Sequence, residues 1–68
     1  SEKGKYYLDK ALALNLSVAK FSVGINSYYG SNGYPKDINR AIQLLSEAVE
    51  DNVEDAAEVL EEIKSSFI

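Results

Sequence analysis

Apolar side chains recur along this chain at spacings of three and four, in four blocks divided by short polar or turn-forming stretches. The first block carries Tyr7, Leu8, Ala11, Leu12 and Leu14 on one stripe, with Lys5, Asp9 and Lys10 outside it. The second, with Leu16, Val18, Ala19, Phe21, Val23, Ile25 and Tyr28, is apolar around more than one face, which suits a helix with neighbours on two sides. Ile38, Ala41, Ile42, Leu44, Leu45, Ala48 and Val49 form the third, and Val53, Ala56, Ala57, Val59, Leu60, Ile63 and Phe67 the fourth. No stretch alternates with period two. The spacing therefore predicts an all-α chain with helices over about 3–14, 16–29, 37–51 and 53–66, paired as two antiparallel helical hairpins, first with second and third with fourth.

The breaks between blocks differ in kind. Gly30-Ser-Asn-Gly-Tyr-Pro-Lys is a loop by its two glycines, its Asn-Gly pair and its proline. Asp37, two positions after Pro35, is placed to cap the third helix. Asn15 and Asn52 each stand where one period stops and the next begins. Asparagine tolerates the left-handed backbone that ends a helix, so each predicts a tight turn of two or three residues. Glu54 and Asp55 are expected in the first turn of the fourth helix, where carboxylates favour the positive end of the dipole.

One pattern occurs twice. Ala11, Asn15, Ala19 and Val23 are followed 37 positions later by Ala48, Asn52, Ala56 and Leu60. A period of 20 to 50 residues marks stacked supersecondary units, and small residues at regular positions let helix axes approach closely.

Composition removes most chemistry. The chain has 68 residues with no Cys and no His, so disulfides, thiolate zinc sites and Ser-His or Cys-His catalysis are excluded, and no cofactor is expected. Asp51-Asn52-Val53-Glu54-Asp55 lacks the glycine and terminal glutamate of a calcium loop. Gly30-Ser-Asn-Gly33 lacks the Gly-Lys-Ser/Thr ending of a phosphate loop. No apolar run approaches the roughly 20 residues of a membrane span, and the first ten residues do not form a signal-peptide core, so a membrane partner is not expected.

Charge is unevenly placed. Residues 1–40 carry six basic and three acidic side chains, whereas residues 41–68 carry one basic and eight acidic, for a net charge of −4. That balance argues against nucleic acid, which needs clustered Lys and Arg. It allows an electrostatically selected protein partner or head-to-tail self-association.

The stretch from Ala19 to Leu60 resembles the Sel1-like repeat, a relative of the tetratricopeptide repeat. Ala19, Val23, Gly24, Gly30, Gly33, Asp37, Ala41, Ala48, Asn52, Ala56 and Leu60 fill that family's places, with Asn52 standing for a glycine. Ser27 stands where a tyrosine is expected, and the loop is one residue longer than usual. Glu61 replaces a second glycine and marks the fourth helix as a candidate terminal cap, whose outer face would be Glu54, Asp55, Glu58, Glu61 and Glu62. The resemblance implies a single domain over 1–68: the second helix of one repeat, a full repeat over about 16–51, and the first or capping helix of the next over 53–66, stacked as a short α-solenoid. It implies a scaffold or adaptor that binds a protein or peptide without catalysis. If the first helix of each unit lines the concave side, Lys20, Asn26, Tyr29, Glu58, Glu61 and Lys64 are the exposed positions that meet a partner.

The aromatic residues divide. Tyr7, Phe21 and Tyr28 are expected in the core, while Tyr29 and Tyr34 flank the loop as candidate anchors, Tyr34 having packing over the hairpin junction as its alternative. Two further readings of the whole stand beside the adaptor: a small acidic protein that regulates or inhibits an enzyme or another basic partner through its acidic helix, and a purely structural segment of a larger array. With fewer than the three or so repeats that a solenoid needs, the chain is expected to have flanking repeats or to self-associate.

Overall fold

In the computed structural model, which describes residues 2–66 in backbone and 4–66 in side chain, the four blocks are four helices. They are α1 Glu2–Ala13, α2 Ser17–Tyr29, α3 Ile38–Glu50 and α4 Ala56–Ser65, with no strand among the described residues. None of these helices is long and apolar enough to cross a membrane. Phe67, counted above on the fourth stripe, lies outside the described residues.

The doubled sequence pattern has a doubled backbone. Asn15 and Asn52 both take left-handed conformations, φ 60° and 62°. Around the first, Leu16 N–H donates to the Ala11 carbonyl at 3.1 Å and Asn15 N–H to the Leu12 carbonyl at 2.9 Å. Around the second, Val53 N–H donates to Ala48 at 2.9 Å and Asn52 N–H to Val49 at 3.0 Å. Each pair is a Schellman closure, six-to-one and five-to-two, and the two lie 37 residues apart. The asparagines thus turn the chain by satisfying carbonyls that a helix end would leave open.

Both expected pairings are present, α1 with α2 and α3 with α4, and the most extensive packing is in a further pair, α2 with α3. Its ends are fixed at both extremities: Lys20 near the start of α2 reaches Asp51 just past α3, and Asp37 N–H donates to the Ser27 carbonyl at 2.8 Å beside the loop. Those two contacts make the pair antiparallel. Asp37 caps α3 as expected, its carboxylate accepting from Arg40 N–H at 3.0 Å. Gly30, at φ 68°, closes α2, and Gly30 and Ser31 N–H both donate to the Asn26 carbonyl.

The outer helices cover opposite sides of this pair. Leu8 and Leu12 of α1 pack against Val23, Leu44 and Tyr34, and α4 places Leu60 and Ile63 against Leu45, flanked by Phe21, Ile25 and Tyr28. Such burial contributes about 1.5–3 kcal/mol for each large side chain fully removed from water. The breadth of the apolar surface on α2 is explained by these two neighbours.

Several expectations are corrected. Tyr7 is 61% exposed and sits edge-on to Tyr6, because only one stripe of α1, through Leu8 and Leu12, meets other helices. Leu14, Leu16 and Val18 are also exposed; the turn at Asn15 carries the first two away from the core. The fourth helix begins at Ala56, so Glu54 and Asp55 precede its first turn, and Asp55 adopts φ 69° without a side-chain cap.

Candidate docking groove

Three of the sequence-derived site residues are structural. Lys20, expected exposed, is 6% exposed. Its ammonium donates to Asp51 Oδ2 at 2.9 Å and lies 3.5 Å from Glu47 Oε1, while Ser17 Oγ donates to the same Asp51 oxygen at 2.8 Å. The hydrogen bond to Asp51 raises the Lys20 pKa, and the Lys20 and Ser17 donors lower that of Asp51. Asn26, also expected exposed, is buried with its amide oxygen accepting from Ser31 Oγ at 3.1 Å and Asn32 Nδ2 at 2.8 Å, so it holds the loop.

Tyr34 takes the alternative given to it, packing rather than anchoring. It is 3% exposed, and its hydroxyl donates to Asp9 Oδ1 at 2.7 Å, joining the loop to α1. Burial, then this bond to a carboxylate, pushes its pKa up to about 12. The Lys5 ammonium pairs with Asp9 at 2.8 Å and lies 5.0 Å from the Tyr34 ring centre. Asp9 is held below the usual carboxylate range, first by Lys5 and then by Tyr34.

Tyr29, Glu58, Glu61 and Lys64 are exposed. They do not form one cluster. At 100° per residue, Glu62 falls beside Val59 on the groove side of α4, Glu58 lies one turn before it toward the solvent-facing back of the helix, and Glu61 and Lys64 fall on the opposite flank.

What the structure does form is a groove of about 170 Å³ between α2 and α4, lined by Ile25, Tyr28, Tyr29, Val59, Glu62 and Ile63. The two helices end side by side: Ser66 Oγ donates to the Ile63 carbonyl at 2.7 Å, which leaves the Tyr28 hydroxyl, 3.4 Å away, to donate to Ser66 Oγ. Tyr28 and Tyr29 meet edge to face at 4.9 Å between ring centres, so one tyrosine forms the wall and the other, 69% exposed, stands at the rim. Up α2, Val18 falls on the same helical face as Ile25 and Tyr29 and is 70% exposed, which extends the apolar strip beyond the groove.

Of the groove residues, sequence reasoning singled out Tyr29 as a contact. Tyr28 is expected in the core and Ile25 and Ile63 stand on apolar stripes, and nothing in the local pattern separates the half-covered Ile25 and Tyr28 from the buried Ile63. Available signals were the width of the apolar surface on α2 and the adjacent Tyr28-Tyr29 pair. Comparison with known proteins found no matching family model, curated relative or solved structure.

Proposed function

We propose that this chain is a protein-interaction module of the Sel1-like, tetratricopeptide-related type, acting as a scaffold or adaptor without turnover, with the α2–α4 groove as its docking surface. The observation that carries this reading is the groove itself: an apolar, concave strip between two helices, rimmed by an exposed tyrosine. Tyrosine is enriched at binding hot spots because it offers a large rigid surface and a polar tip. The repeated turns and the side-by-side ends of α2 and α4 support the solenoid reading, in which first helices of successive units lie next to one another.

The test is selection of peptides from an unbiased library followed by mapping with amide chemical shifts. Selected peptides are expected to shift Ile25, Tyr29, Val59 and Glu62, and Tyr29→Ala to weaken them about tenfold, equal to about 1.4 kcal/mol. Peptides that map to α1, or that ignore Tyr29, would remove the groove as the docking surface.

A further inference from the structure

We infer that the groove selects a basic amphipathic segment, one apolar face flanked by lysine or arginine; this rests on the groove being a docking surface. The argument is charge complementarity beside an apolar strip. Glu62 lines the groove, Glu58 stands one turn before it just outside the lining, and both are exposed. Glu54 and Asp55, also exposed, precede α4 and add negative charge at its N-terminal end. The one lysine of α2 does not oppose this field, because Lys20 is neutralised by Asp51 and Glu47. Lys64 belongs to the other flank of α4.

An apolar surface edged on one side by carboxylates favours a ligand with the inverse pattern. Its apolar residues cover the strip, and its cations approach carboxylates that otherwise repel one another. A segment carrying acid on that edge meets like charge and is rejected, so the same carboxylates supply specificity. From Val18 to Tyr29 the strip runs eleven rises of α2, roughly 17 Å, which a helical ligand of about 12 residues matches.

The probe is a fluorescein-labelled amphipathic peptide of leucine and lysine, about 12 residues long. It is compared by anisotropy with its glutamate-for-lysine counterpart and with a scrambled peptide of the same composition. The lysine peptide is expected to bind at least about tenfold more tightly than either, and to weaken as salt rises. Glu58→Gln with Glu62→Gln should cost about tenfold, while Glu61→Gln on the opposite flank stays within about twofold. Equal binding of the lysine and scrambled peptides, or equal effects of Glu61→Gln and the groove pair, overturns the inference as general attraction of a cation to an acidic chain. Concentration-dependent self-association that occupies the groove and excludes the peptide overturns it as well. If library-selected peptides map to the groove but the lysine peptide has no advantage over its glutamate counterpart, the docking surface stands and the basic ligand falls. If selected peptides map elsewhere, the function itself falls first.

Discussion

A Cβ added at Gly24 would lie 2.9 Å from Cγ and 3.2 Å from Cδ2 of Leu45. Leu45 is fully buried between α3 and its neighbours, and Cγ is the branch point of the side chain, so it cannot swing clear. Alanine would gain about 1 kcal/mol of helix propensity over glycine, while overpacking a filled core costs about 1–3 kcal/mol. Gly24→Ala is therefore expected to destabilise the fold by up to about 2 kcal/mol, read as a lower urea midpoint with an unchanged slope. The corresponding position 37 residues later is Glu61, which is exposed. The two sites therefore differ for a packing reason: α3 presses on α2 at the first, and at the second a Cβ meets no such constraint. Ser27, where the family pattern expects tyrosine, buries a hydroxyl with no hydrogen-bond partner among the described residues, a cost of about 1–3 kcal/mol carried inside the α2–α3 pair.

At the scale of elements, α1 is held by Leu8 and Leu12 and by the polar tie from the Tyr34 hydroxyl, which donates to Asp9 and lies 3.4 Å from the Lys5 carbonyl. The tie has a pH signature. Tyr34 loses its proton near pH 10.0 in an ordinary setting and at about 12 in the fold. Its contribution is fully present below pH 10, then falls as the unfolded chain ionises first and the folded chain holds its proton up to about pH 12. Tyr34→Phe is expected to lower stability at neutral pH by about 1 kcal/mol and to flatten the loss between these limits, measured by urea unfolding at several pH values. The raised pKa of Lys20 adds an alkaline loss of the same sign, which the variant retains. Asp9 and Asp51, both lowered, act at the other end: their contributions are present above the ordinary carboxylate range and disappear as pH falls through their folded values.

The same scale shows what the sequence makes legible. The helices, the Asp37 cap and both asparagine turns depend on residues within five positions of one another, and they were readable. Lys20 was misread because its partner Asp51 is 31 residues away, and Tyr34 is tied to Asp9 across 25. The groove was not legible for a related reason: Ile25 and Val59 come together only because α3 sets α4 beside α2, and neither residue differs in type from core neighbours. Local rules place elements; which half-apolar faces remain uncovered is decided by tertiary arrangement.

The whole molecule measures about 35 × 23 × 15 Å. Each outer helix packs mainly on one neighbour, α1 on α2 and α4 on α3, so helix faces are readily left to solvent. Charge then decides what those faces do. Four residues separate Glu58 from Glu62, and like charges at that spacing destabilise a helix by about 0.2–0.5 kcal/mol. A lysine at the second position would reverse this, with glutamate N-terminal to lysine as the favourable order, and would also suit the negative end of the α4 dipole. Glu62→Lys is thus expected to raise stability by about 0.5–1 kcal/mol while weakening a basic amphipathic peptide by about tenfold. Thermal unfolding and peptide anisotropy on the same sample measure the two effects. Opposite signs would assign the negative flank of the groove to recognition at a cost in stability, whereas a variant that gains stability with unchanged peptide affinity would leave Glu62 as an ordinary solvated side chain.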